Sequence, residues 1–70
     1  MLAPESPQLS IVIPTLEEEE WVGVCVQTVR ASLAYGEVSA EIILCDGGST
    51  DGTVRRARTA GADRIVSSPP

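Results

Sequence analysis

Apolar residues along this chain fall into two rhythms. Dense aliphatic runs occur at Leu9 to Ile13 and at Ile42 to Cys45, and a shorter one, Arg64 to Ser67, contains Ile65 and Val66. Between the first two runs, Val22, Val26, Val29 and Leu33 recur at steps of four, three and four, which gathers them on one face of a helix. The runs predict strands; the stepped positions predict a helix that stops near Tyr35 and Gly36, with Glu37 to Ala40 leading to the second strand. Pro14 ends the first strand and Thr15 to Glu17 form a loop. The four glutamates Glu17 to Glu20 then open the first helix, where negative charge complements the positive end of the helix dipole. A second helix is predicted over Thr53 to Ala60, with Val54, Ala57 and the stem of Arg58 toward the sheet and Gly61 as its stop.

Strand, helix, strand, helix, strand is the βαβαβ order of an α/β fold, half of a doubly wound, Rossmann-like parallel sheet. The four apolar residues Ile42 to Cys45 predict a strand buried on both faces beneath helices. A spatial order of three, two, one leaves Leu9 to Ile13 at an edge. An apolar edge is a liability that complete proteins cover, so the chain reads as the first half of something larger. Met1 to Gln8, with two prolines and no periodicity, predicts a disordered lead-in, and residues 9–70 form the partial domain.

Composition narrows the function. Seventy residues make one small domain of marginal stability. Cys25 and Cys45 have no metal-ligand spacing and no histidine accompanies them, so both are expected as buried, reduced thiols. A net charge of −5, with five arginines and no lysine, argues against a nucleic-acid partner. Arg55, Arg56 and Arg58 are expected on a solvated helix face. No stretch has the length of a transmembrane segment and the N-terminus lacks signal-peptide blocks, which predicts a cytosolic protein.

The chemistry concentrates between the second strand and the second helix, in Asp46-Gly47-Gly48-Ser49-Thr50-Asp51-Gly52-Thr53. Two glycines permit a tight turn, and Asp51 is expected to cap the helix. Ligands of open α/β sheets bind outside the carboxyl ends of the strands, which places Asp46 where a ligand would be read. A phosphate there meets Asp46, Asp51 and the glutamates with no lysine to offset them. A neutral base or ribose, whose N–H and O–H groups donate to a carboxylate, fits better. The dinucleotide and P-loop glycine fingerprints are both absent, and without histidine there is no serine, histidine and acid constellation.

Ser10-Ile11-Val12-Ile13-Pro14-Thr15-Leu16 followed by glutamates, an amphipathic helix, and then Glu41 to Thr53 closely resembles the opening of family 2 glycosyltransferases with the GT-A fold. The spelling Asp-Gly-Gly-Ser-Thr-Asp-Gly-Thr looks most like a subgroup described as selenium- or radical-SAM-associated transferases. The likeness runs from Leu9 to Ser67. It implies that Pro14, Thr15, Leu16, Glu18 and Asp46 line the nucleotide pocket of a UDP- or GDP-linked sugar donor. Glu17 stands where the family usually has asparagine, and Gly47 where many members have a second aspartate.

The resemblance also implies a divalent metal, Mg or Mn, held by an Asp-x-Asp motif after a fourth strand, and a later acid that deprotonates the acceptor hydroxyl. This chain has no Asp-x-Asp and offers no ligands for that metal. The expected function is therefore the nucleotide-binding N-terminal portion of a glycosyltransferase, catalytically inactive as these 70 residues. Two other readings are a truncated, non-catalytic nucleotide-binding module and an interaction module whose open Leu9 to Ile13 edge pairs with a partner strand. Because many members of that family act on lipid-linked acceptors, the resemblance is compatible with peripheral association with a membrane.

Overall fold

The computed structural model describes residues 8–68. The lead-in expected over residues 1–7 lies outside the described residues. Gln8 does not belong to such a lead-in: its N–H donates to Ser39 O at 2.9 Å and its side-chain Oε1 accepts from Ser39 N at 3.1 Å.

Five elements follow in the expected order: β1 (Leu9–Thr15), α1 (Val22–Tyr35), β2 (Ala40–Asp46), α2 (Thr53–Ala60) and β3 (Arg64–Ser67). The strands are parallel in the order β1-β2-β3, so β2 is central and β1 is an edge, as expected. Strand β1 runs through Pro14, which lies in register with Cys45, and ends at Thr15 instead. An edge strand can carry a proline because only one side of it needs ladder hydrogen bonds.

The core is Val22 and Val26 of α1, Ile42 and Leu44 of β2 and Ala57 of α2, all at most 2% exposed. Val29 and Leu33 continue the α1 stripe against it, so the stepped valines and leucine form the buried face the sequence predicts. On α2 the inward positions are Thr53, Ala57 and Ala60, while Arg58 is exposed with Arg55 and Arg56. Arg58 therefore gives the sheet no stem; the step of four from Thr53 to Ala57 turns it outward.

Both helices pack on the Ile42 and Leu44 face of the sheet, as two right-handed crossovers running in one direction require. This corrects the expectation that β2 is covered twice. Its other face carries Ile43 and Cys45, half-buried, beside Val12 of β1 and Val66 of β3, and no helix covers it among the described residues. Both thiols are free, but neither is buried: Cys25 faces out from the stripe of α1 and Cys45 lies on the open sheet face.

Arg30, which sequence alone did not single out, ties the lower end together. Its Nε and Nη2 donate to Gly61 O at 3.0 and 2.7 Å, and its Nη2 also meets Asp63, whose Oδ2 accepts from Ile42 N at 2.7 Å. The ends of α2 and β2 are thus fixed to α1 by one guanidinium. That leaves the opposite, carboxyl end of the strands for the loops that form the site.

Candidate functional site

Thr15 and Asp46 end β1 and β2 side by side in register, 7% and 3% exposed. A carboxylate buried this deeply is costly unless its oxygens are satisfied. Here they are. Oδ1 accepts from Thr15 Oγ1 at 2.8 Å and Ser49 Oγ at 2.6 Å, and Oδ2 accepts from the backbone N–H groups of Gly48 and Ser49 at 3.1 and 2.7 Å. The Ser49 hydroxyl contributes most to holding the Asp46 pKa at about 2, below the ordinary 3.8; burial opposes it, and the Ser49 amide, Thr15 and Gly48 add to it. Asp46 is ionised at neutral pH and folds the turn around itself. Gly48 supplies the φ of +103° that lets the backbone curl back to it.

The loop after β1 hangs from this turn. Gly47 N donates to Thr15 O at 2.9 Å. Then three consecutive backbone N–H groups find side-chain oxygens across the gap: Glu17 N to Ser49 Oγ at 2.9 Å, Glu18 N to Thr53 Oγ1 at 2.7 Å and Glu19 N to Asp51 Oδ2 at 3.3 Å. Glu17 returns the contact, its Oε1 accepting from Thr50 N at 2.8 Å and Thr50 Oγ1 at 2.9 Å. Its φ of +53° is left-handed, a conformation that costs a residue with a Cβ roughly 1–2 kcal/mol and is held by these bonds.

The clamp changes the role of the glutamates. They do not open α1, whose first turn contains no acid; Glu18 to Trp21 form a turn ahead of it, with Trp21 N and Val22 N both donating to Glu18 O. The amides of Glu17, Glu18 and Glu19 are engaged by the second loop, so the helix begins only after them. Asp51 is likewise not the helix cap, because that position falls on Gly52. Its Oδ1 still accepts from Thr53 N at 2.9 Å and from the Thr53 hydroxyl, and the Thr53 hydroxyl is the main cause that lowers its pKa. At Gly52 the loops leave little room for a side chain, since a Cβ there would lie 2.8 Å from Glu19 Oε2.

Of the residues singled out from sequence, Thr15 and Asp46 form the buried floor, whereas Pro14, Leu16 and Glu18 are exposed around it. Because all four acceptor directions of Asp46 are occupied, its carboxylate shapes the crevice rather than presenting a vacant acceptor. Ser49, Thr50 and Thr53 were missed as a clamp. The available signal was a surplus: one helix start needs one capping side chain, and this stretch supplies four in Ser49, Thr50, Asp51 and Thr53.

Beside the clamp is a cavity of about 180 Å³ lined by Glu17, Glu18, Glu19, Glu20, Trp21 and Asp51. Its carboxylates repel a phosphate. Among the described residues no three His, Cys, Asp or Glu side chains gather as a metal site. The acids present do not fit the divalent metal that the resemblance implies, because Asp46, Asp51 and Glu17 already accept protein hydrogen bonds.

Residues 10–66 match the family model described as glycosyl transferase family 2. Among curated proteins, the chain is 48% identical over 59 residues to glucosyl-3-phosphoglycerate synthase of Mycolicibacterium smegmatis, covering 84% of this chain and 18% of that protein. It is 43% identical over 54 residues to dodecaprenyl-phosphate galacturonate synthase of Rhizobium johnstonii, covering 77% of this chain and 16% of that protein. Solved structures of Mycobacterium tuberculosis glucosyl-3-phosphoglycerate synthase superpose with a TM-score of 0.69 at 38% identity, covering 87% of this chain and 21% of theirs. One of those complexes contains Mn2+, UDP-glucose and phosphoglyceric acid, another Mg2+ and UDP. The chain thus spans about a fifth or less of the relatives it matches. No helix among the described residues is long and apolar enough to cross a membrane. With the strand order, the two motifs and the match over residues 10–66 in agreement, the chain belongs to glycosyl transferase family 2.

Proposed function

We propose that this chain is the nucleotide-binding N-terminal portion of a glycosyltransferase that moves a sugar from a UDP- or GDP-linked donor to an acceptor hydroxyl. The observation that carries the reading is the joining of two loops at the carboxyl ends of adjacent parallel strands through Asp46 and Thr15. That is where an open α/β sheet receives a nucleotide. Pro14, Thr15, Leu16 and Glu18 furnish the crevice wall and Asp46 its folded floor. The acidic lining favours the base and ribose over the diphosphate, which has to be neutralised by groups outside residues 8–68, including the ligands of a divalent cation. UDP-glucose bound to a structurally similar family member supports the donor class. The selenium- or radical-SAM-associated subgroup rests on the spelling of the turn alone, and the reading does not depend on it. Peripheral action on a lipid-linked acceptor and a cytosolic location are both compatible with it.

Without a metal site or a general base, the described residues are expected to turn over no donor. Titration of UDP, and separately GDP, into isotope-labelled chain tests the site. Shifts confined to the amide signals of Thr15, Leu16, Glu18, Gly47 and Gly48 are expected. Spectra unchanged at millimolar concentrations of either nucleotide would remove the reading.

A second reading is favoured by one specific observation, the exposure of Leu9 and Val12 at 52% and 57% on the edge strand. In it the Leu9 to Ile13 edge takes a partner strand, supplied by the rest of the domain or by another chain.

A further inference from the structure

We infer that Glu17 is the positioning residue that sets the shape of the nucleotide crevice, by latching the loop after β1 onto the turn after β2. The inference rests on the proposed nucleotide site, of which the Pro14 to Glu18 segment is one wall.

Glu17 lies within that wall, ahead of α1, with its backbone in the left-handed region at φ +53°. Its bonds all run to the other loop: the N–H to Ser49 Oγ, and the carboxylate Oε1 to both the backbone N–H and the hydroxyl of Thr50. Ser49 in turn donates its hydroxyl to Asp46 Oδ1 at 2.6 Å. The connection is therefore continuous, from the Glu17 backbone through Ser49 to the buried carboxylate under Thr15. Thr50 has no equivalent anchor of its own in the turn, since Asp46 reaches only the amides of Gly48 and Ser49. Removing the Glu17 carboxylate frees the N–H and hydroxyl of Thr50 and leaves the left-handed residue held to the turn only by its own N–H to Ser49 Oγ. Leu16, the exposed apolar residue next to it, then loses its fixed position on the wall.

Charge makes the role separable from a bystander's. A carboxylate near a bound nucleoside diphosphate repels it, so deleting a bystander acid tightens binding. Deleting a latch loosens it. Glu17→Ala removes charge and latch together, whereas Glu17→Gln removes the same charge but keeps an oxygen that can accept from Thr50.

The test measures two quantities on the full chain and on both variants: amide hydrogen exchange at Thr50 without ligand, and the Kd for UDP in Mg2+ buffer. In Glu17→Ala, Thr50 is expected to exchange about tenfold faster and UDP to bind about tenfold more weakly. In Glu17→Gln both are expected within about threefold of the parent, a rescue that charge removal alone does not give. Unchanged Thr50 exchange in Glu17→Ala would overturn the latch. Faster exchange with UDP bound as tightly as by the parent, or more tightly, would overturn the positioning role. Absence of saturable UDP binding by the parent chain would overturn the nucleotide reading and the positioning role with it, leaving the exchange result to decide whether the latch exists.

Discussion

The hydroxyl of Thr15 and the carboxylate of Asp46 meet at 2.8 Å where β1 and β2 end in register, and the loops on either side are built around that contact. Asp46 takes four donors, two of them the backbone amides of Gly48 and Ser49. Replacing it with asparagine puts an amide NH2 against those amides. Asp46→Asn is expected to lower stability by about 2–3 kcal/mol and Thr15→Val by about 1 kcal/mol, with the double variant less unstable than the sum. Urea unfolding of the four proteins measures both the size and the coupling.

The same contact sets an acid limit. Asp46 titrates at about 2 in the fold against an ordinary 3.8, so the folded protein holds this proton more weakly than the unfolded chain. The associated stability, about 2 kcal/mol, is fully present above pH 3.8 and is lost as pH falls through about 2. Asp46→Asn has no such carboxylate. The stability gap between parent and variant is therefore expected to be constant from neutral pH to about pH 5 and to narrow steadily below pH 4. A gap that widens with acid would show that Asp46 is not held low.

Two glycines of the turn should respond unequally to alanine. At Gly52 an added Cβ comes within 2.8 Å of Glu19 Oε2 and 3.0 Å of Arg55 Nη2, both the far ends of flexible side chains that can swing aside. At Gly48 nothing lies within 4 Å, but φ is +103°. Gly48→Ala is expected to cost roughly 1–2 kcal/mol and Gly52→Ala less than about 1 kcal/mol. Thermal unfolding ranks them; the reverse order would mean that crowding outweighs backbone strain in this turn.

Thr53 carries a similar decision. It is fully buried, its hydroxyl donates to Asp51 and accepts the Glu18 N–H, and valine has nearly its shape. Thr53→Val leaves that amide without a partner and is expected to cost about 1–3 kcal/mol, whereas Thr53→Ser keeps the hydroxyl and costs less. Exchange of the Glu18 amide, faster in the valine variant alone, identifies the hydrogen bond as the cause.

What could be read in the sequence was what depends on local order. The Val22, Val26, Val29 and Leu33 steps, the limits of α2 and β3 and the parallel order all follow from spacing and crossover geometry. Pairing between segments some thirty residues apart leaves no such period. Glu17 to Glu20 look like a helix opening until Ser49, Asp51 and Thr53 are known to stand opposite them and take three of their amides. Asp46 shows the same gap: its place at the end of a strand is legible in the sequence, whereas the four donors that meet it, from Thr15, Gly48 and Ser49, are not. Cover on the second face of β2 was misjudged because half-buried Ile43 and Cys45 are as apolar as buried Ile42 and Leu44.

That uncovered face leads to the last expectation. Val12 is 57% exposed, stands in register with Ile43, and shares its side of the sheet with Cys45 and Val66, the latter 39% exposed. Apolar side chains on an open edge strand favour association with other chains. Lysine at this position keeps its aliphatic stem along the sheet and places a charge where a second copy would pack. Val12→Lys is expected to change unfolding free energy by no more than about 0.5 kcal/mol, since no core contact is lost. It is also expected to convert self-associated chain to monomer in sedimentation equilibrium. If the parent chain is already monomeric at high micromolar concentration, the exposed face does not drive self-association. If Val12→Lys instead unfolds the chain, Val12 contributes to the fold more than its exposure indicates.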